Sequence, residues 1–292
     1  MPVHLLEAGI VTEQSFAGLA EAPAALAPEF ASAFQPEKRI RLPFNPRDRW
    51  LTAAREACRS LSDAVRTSLG AGATCLILGG ECTLVAGSLS GALEVEPDLL
   101  LLYLDAHGDF NTLATTSTHY VSGMCLAHVC GRRVAPLLWP GVRKIAEERV
   151  VLAGARALDA GEMSNLSSSR VVRVAFDAEQ RDAPGLISAI RRRPVWLHVD
   201  LDVVDPEQVP AVVFPAPGGP SLRDLGEILA AVARVCDVRG IEICGYDPRK
   251  DPQAELPAVL ARTFMPLVPA ARPAARPRRA GAGRSAHSPP IV

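Results

Sequence analysis

Leu99–Asp109 reads LLLLYLDAHGD, six apolar residues that run directly into Asp105, His107 and Asp109. A short apolar run of this kind fits a strand buried on both faces, as in a parallel sheet covered by helices. Side chains alternate along an extended chain, so Asp105, His107 and Asp109 fall on one face at the strand's carboxyl end. Open α/β sheets bind ligands in that crevice. Carboxylates flanking an imidazole suit a borderline-hard divalent ion. Taken alone, the triplet also fits a turn with aspartate caps and a surface histidine.

A second stretch repeats the pattern. His198, Asp200 and Asp202 follow the apolar Val195–Leu197, and Val203, Val204, Asp205 and Pro206 come next. Two such strand ends side by side would gather Asp105, Asp109, Asp200 and Asp202, a knot of negative charge tolerable only when cations or protons neutralise it. His198 shares the face of Asp200; it either reaches this site or sits in the core bonded to backbone. A third stretch, Gly79-Gly80-Glu81-Cys82-Thr83, lies between a predicted strand and a helix starting near Leu84. Its glycines permit a tight strand-to-helix turn. It is not a phosphate loop, because GxxxxGK[ST] is absent.

Elsewhere, short apolar runs alternate with helical patterns, the signature of stacked βαβ units. Strands are predicted at Val3–Ala8, Thr74–Leu78, Leu99–Leu104, Val150–Ala153, Val171–Val174, Val195–Val199 and Gly240–Ile243. Helices are predicted near Trp50–Leu69, Leu84–Leu93, Val121–Val129, Gly185–Arg192, Leu222–Val235 and Glu255–Phe264. The fold class is therefore α/β, three-layer αβα with a mostly parallel central sheet. The Ala- and Pro-rich segment Glu21–Arg47 reads as a loop region over the sheet edge. One domain is expected over 1–268, followed by a disordered Pro/Arg-rich tail over 269–292 with too little apolar surface to offset its ordering entropy.

A chain of 292 residues buries enough surface to need no covalent staple. Its net charge of −1 gives no argument for a nucleic-acid or membrane partner. Seven cysteines, odd in number and without repeated spacing, do not read as a disulfide framework and point to a reducing, cytoplasmic setting. Met1–Ser15 lacks the basic segment and long apolar run of a secretory leader.

In chain order, GGEC (79–82), DAHGD (105–109) and DLDVVDP (200–206) resemble the signatures GGDH, DAHxD and DxDxxDP of the arginase/agmatinase (ureohydrolase) family. The resemblance implies two divalent ions, usually Mn2+, with Zn2+ or another divalent metal as the variant. It implies that Asp105 and Asp200 bridge the ions, that His107, Asp109 and Asp202 complete the ligand shells, and that Cys82 stands in place of the family's histidine ligand. Cys82 either ligates as a thiolate, which favours softer metals, or packs as a small buried residue. Asn111 and Thr118 match the loop that reads the substrate's carboxylate end, and Asp159 the acid near its amino end. Asp109 would relay a proton to the leaving nitrogen. Ser122 stands where arginases carry a proton-shuttling histidine, and Gly245 where they carry the glutamate that grips the guanidinium. His119 is the substitute candidate for the shuttle, or else a loop histidine bonded to solvent.

The implied function is metal-dependent hydrolysis of a non-peptide C–N bond in a small linear guanidine- or amidine-type substrate. The family acts on arginine, N-hydroxyarginine, agmatine and formiminoglutamate. A catalytically impaired protein of the same fold, serving as a binding or interaction module, is the alternative. A homo-oligomer is implied by the resemblance alone.

Overall fold

The computed structural model describes residues 1–132, 143–180, 182–190 and 192–268. The predicted tail, 269–292, lies outside these residues. Among the described residues there are eight strands: β1 (Val3–Ala8), β2 (Lys38–Arg41), β3 (Thr74–Gly79), β4 (Leu100–Leu104), β5 (Val150–Ala153), β6 (Val172–Val174), β7 (Pro194–Asp200) and β8 (Asp237–Cys244). They pair in parallel in the order β2-β1-β3-β8-β7-β4-β5-β6. The helices are α1 (Ala22–Phe34), α2 (Trp50–Gly70), α3 (Val85–Val95), α4 (Cys125–Val129), α5 (Ala160–Ser167), α6 (Ala183–Ile190), α7 (Leu222–Val235) and α8 (Leu256–Phe264). Among the described residues, no helix is long and apolar enough to cross a membrane.

The strand pleat divides the apolar runs between two cores. Leu100, Leu102 and Leu104 of β4 and Val195, Leu197 and Val199 of β7 join a cluster with Phe30 of α1, Leu229 of α7 and Phe264 of α8. Leu101, Tyr103 and Trp196 face the other way, onto Leu61 and Val65 of α2 and Leu89 of α3. Each fully buried side chain of this size contributes roughly 1.5–3 kcal/mol. The expected three-layer αβα arrangement is what these contacts build.

Register then places the motifs. Leu104 of β4 lies opposite Val199 of β7, so Asp105 and Asp200 leave neighbouring strands side by side. β8 fits between β7 and β3, and the Gly245 N–H donates to the Gly80 carbonyl at 2.9 Å. The path from β3 to β4 steps over the places that β7 and β8 later fill, which opens a crevice at the carboxyl ends of the central strands.

The segment Glu21–Arg47 is not a loop region: it holds α1 and β2. Ala22, Leu26, Phe30 and Phe34 recur on one helical face and are buried, with Phe30 and Phe264 ring centroids 5.9 Å apart. Pro23 sits in the first turn, where its missing N–H costs nothing. Pro28 inside the helix works against it, and burial of the apolar face outweighs that. β2 is a charged edge strand, the usual protection of a sheet edge; Arg39 and Arg41 reach the buried Glu7 on β1 at 2.9 and 3.0 Å. The predicted helix Val121–Val129 is shorter than expected, a single tight turn at Ser122–Met124 followed by α4.

Candidate metal centre

Six donor side chains meet at the carboxyl ends of β3, β4 and β7. The oxygen, nitrogen and sulfur donors fall into two triads, Cys82–Asp105–Asp109 and Asp105–His107–Asp202, each with its atoms within 4.8 Å of one another. Asp105 belongs to both. Asp200 joins them through Cys82, whose thiol donates to Oδ2 at 2.9 Å. His107 Nδ1 lies 3.0 Å from Asp202 Oδ2 and 3.5 Å from Asp105 Oδ1. Backbone N–H groups aim the carboxylates: His107 to Asp105 Oδ1 at 2.7 Å, Ala106 to Asp202 Oδ1 at 3.1 Å, and Asp202 to Asp200 Oδ1 at 2.9 Å. The Tyr103 hydroxyl donates to Asp109 Oδ2 at 2.6 Å. Asp109 sits at φ 48°, a left-handed turn that aspartate tolerates better than most residues.

The electrostatics call for cations. Burial, then the charges of Asp202 and Asp109, push Asp105 well above the usual carboxylate range. Burial and the charge of Asp202 raise Asp200 to about 7. Burial alone would keep His107 neutral, but its hydrogen bonds to Asp105 and Asp202 prevail and push its pKa up to about 12. Among the described residues no lysine or arginine lines the surrounding cavity of about 220 Å³. A buried carboxylate cluster with one imidazole and one thiol at coordination spacing fits a pair of divalent cations.

Asn111, Thr118 and Asp159 line the same cavity, as do Ser122 and Gly245. Asn111 Nδ2 donates to Asp159 Oδ2 at 3.0 Å, while Asp159 Oδ1 caps α5 by accepting from the Glu162 N–H at 2.8 Å. His119 is not brought to the cavity: it is exposed, and its N–H donates to Thr116 Oγ1 at 3.0 Å. His198 is fully buried and does not line the cavity; its partners are the Glu242 carboxylate at 2.7 Å and the Cys244 thiol at 3.5 Å rather than backbone.

Sequence reading missed several contributors. Phe16, Tyr120 and Phe214 form an aromatic rim, with centroids 4.6–5.6 Å apart. No spacing links residues so far apart in the chain.

Arg156 is a second omission. Its guanidinium donates to the carbonyls of Gly154, Asp202, Val203, Ala216 and Pro217 at 2.6–3.2 Å. It thereby pins the loop after β7 against the loop after β5. Arg156→Ala would strand several half-buried carbonyls and is expected to cost about 3 kcal/mol in urea unfolding; a loss under about 1 kcal/mol would show that water replaces the guanidinium freely.

Glu162 is a third. It is buried, lines the cavity and accepts from the Phe110 N–H at 2.9 Å. Burial raises its pKa to about 7 against that hydrogen bond, with Asp109 and Asp159 adding to the rise. Its folded value therefore exceeds its unfolded one. Below about pH 4.5 both states are protonated; as pH climbs to 7 the unfolded state ionises first, and stability falls by on the order of 3 kcal/mol. Glu162→Gln is expected to remove that share of the slope in metal-free protein, read by denaturant unfolding at pH 5 and 8. Identical slopes for variant and wild type would refute the assignment.

Fold and donor cluster together define an α/β protein with a set of potential metal donors at the carboxyl ends of its central strands. A sequence profile of the arginase family matches residues 21–267, and the chain belongs to that family. It is 33% identical over 169 residues to N(omega)-hydroxy-L-arginine amidinohydrolase from Streptomyces lavendulae, a match covering 56% of this chain and 59% of that protein. It is 32% identical over 216 residues to arginase from Eremothecium gossypii, covering 68% of this chain and 52% of the relative. The matched region thus spans little more than half the length of either relative. The crystal structure of arginase from Bacillus cereus shares the fold, with a TM-score of 0.82 at 23% identity, over 92% of this chain and 98% of that one.

Proposed function

We propose that this chain is a metal-dependent hydrolase of a non-peptide C–N bond in a small linear guanidine- or amidine-type substrate, holding two divalent ions, manganese by family habit. The pair of donor triads that share Asp105 carries this reading. In it Asp105, Asp200, His107, Asp109, Asp202 and Cys82 would hold the ions. Two such ions, when bound, bring the pKa of a water toward neutrality and so supply the nucleophile for a trigonal carbon.

The chain's own groups do the rest. Asp109, fixed by the Tyr103 hydroxyl, carries the proton to the leaving nitrogen. Asn111 and Thr118 receive the substrate's carboxylate end and Asp159 its amino end. The rim of Tyr120 and Phe214, with Leu19, excludes water from an aliphatic stem. Gly245 offers no carboxylate to clamp a fully cationic guanidinium, so a less basic N-hydroxyguanidine, the group in the name of the Streptomyces relative, is the favoured substrate class. His119, exposed outside the cavity, has no part in this scheme, and proton exchange with solvent runs through water. We place the protein in the cytoplasm, with its cysteines unpaired, as a homo-oligomer.

The test is a urea- and ammonia-release screen with L-arginine, N-hydroxy-L-arginine, agmatine and formiminoglutamate, alongside elemental analysis of manganese-loaded protein. Two bound ions and faster turnover of N-hydroxy-L-arginine than of arginine are expected. Two ions without turnover of any substrate would sink the hydrolase reading, and absence of bound metal would sink the site.

A further inference from the structure

A second donor set lies behind the acidic cluster, deeper in the sheet. Cys244 at the end of β8 places its Sγ 3.5 Å from Cys82 Sγ, 3.5 Å from His198 Nε2 and 3.8 Å from Asp200 Oδ2. Cys82 Sγ is 2.9 Å from the same Asp200 oxygen. Cys82, His198 and Cys244 are all buried, and their donor atoms lie within 4.8 Å of one another. The imidazole is held from two sides. Tyr103 stacks on it at 4.1 Å with the rings 6° from parallel, and Glu242 Oε2 lies 2.7 Å from Nδ1. Glu242 is fully buried and accepts hydrogen bonds from Trp196 Nε1 and Ser88 Oγ.

We infer that Cys82, Cys244, His198 and Asp200 form a tetrahedral site for one thiophilic divalent ion, with zinc as its occupant. This goes beyond the proposed function by adding an ion position distinct from the two in that reading. It shares Cys82 and Asp200 with that reading and needs none of Asp105, His107 or Asp202.

Three observations converge on it. With Zn–S near 2.3 Å and Zn–N or Zn–O near 2.0–2.2 Å, the edges of a tetrahedron of donors are about 3.5–3.8 Å long. The three separations from Cys244 have that length already, while the contact between Cys82 and Asp200 has to widen on loading. Next, the hydrogen bond from Nδ1–H to Glu242 fixes the tautomer and turns the Nε2 lone pair toward the sulfurs, which is the carboxylate–histidine arrangement behind metal-ligating imidazoles. Finally, two thiolates and one imidazole favour zinc over manganese, which prefers oxygen donors. The acidic cluster and the thiol pocket therefore differ in the metal each selects, though they meet at Cys82 and Asp200.

The experiment uses the full chain, kept reduced and stripped with chelator, then titrated with Co2+ as a spectroscopic probe and competed with Zn2+ or Mn2+. One cobalt should produce a thiolate-to-cobalt charge-transfer band and tetrahedral d–d bands, and zinc should displace it while manganese does not. Cys244→Ser should weaken the charge-transfer band and lower zinc affinity at least 100-fold. Glu242→Gln should lower zinc affinity by roughly 10- to 100-fold with the band retained. Asp105→Asn should keep the cobalt band, although the proposed function requires it to lose manganese. No thiolate band in the wild type, or an unchanged band and zinc affinity in Cys244→Ser, would overturn the inference whatever manganese does. A cobalt band in a protein that binds no manganese would overturn the two-manganese reading alone. If Cys244→Ser does not fold, zinc K-edge absorption on the wild type decides. Two sulfur neighbours at about 2.3 Å support the site, and one or none overturns it.

Discussion

Asp105→Asn is expected to abolish binding of both manganese ions and to lower turnover by at least about a thousandfold, equivalent to about 4 kcal/mol of transition-state stabilisation. The reason is position. Asp105 is the one residue common to both donor triads, so neither ion keeps its shell. Asparagine retains an oxygen to accept the His107 N–H, now 2.7 Å from Oδ1, and the local turn survives. Stability should move in opposite directions with and without metal. At a manganese concentration 100 times Kd the wild type gains about 2.7 kcal/mol for each ion bound and the variant nothing. In metal-free protein Asp105 titrates well above its unfolded value, so its ionisation weakens the fold as pH rises beyond about 4, and the apo variant is the more stable at pH 7. Calorimetric titration and urea unfolding with and without manganese read both effects. Two manganese ions bound to the variant would rule out the shared bridge.

Gly245→Glu, which introduces the residue type that the resemblance to arginases implies at this position, is expected to damage the site rather than repair it. Gly245 has φ 86°, and a Cβ built on it would overlap the Asp200 carboxylate. A side chain at 245 therefore adds backbone strain of about 1–3 kcal/mol and pushes Asp200 out of line with Cys82 and Asp202. Manganese and zinc affinity should each fall more than tenfold, with no gain in kcat/KM for arginine. Gly245→Ala should show the same metal loss, because the overlap begins at Cβ. A higher kcat/KM for arginine at unchanged metal affinity would show that Asp200 has room to yield.

The central strands and the acidic cluster were legible because both signals are local. An apolar run ending in ligand residues at period two reports a buried strand and its carboxyl end together, and β4 and β7 each carry one. α1 was hidden because alanines and two prolines mask its pattern, and Phe30 becomes meaningful only against Phe264 of α8. The partner of His198 was illegible for another reason: Glu242 stands on β8, brought alongside by the strand order, and nothing in its sequence neighbourhood announces it. The rim of Phe16, Tyr120 and Phe214 and the carbonyl-gathering Arg156 share that property. His119 failed in the opposite sense. Its residue type suited a shuttle, but the turn that carries it points outward.

The strand order has a consequence for synthesis. β8 is the last of the eight strands in sequence, yet it is the seam of the sheet, paired to β3 on one side and β7 on the other. Until residues 237–244 have left the ribosome, the sheet exists only as two blocks, β2-β1-β3 and β7-β4-β5-β6, each ending in a row of unpaired backbone groups. Such edges invite aggregation. Cys82 belongs to the first block and Asp105, His107, Asp109, Asp200 and Asp202 to the second, so the thiol joins the other donors only after β8 is seated. A nascent chain interrupted before β8 therefore carries two sticky edges and an acidic cluster still without its thiol.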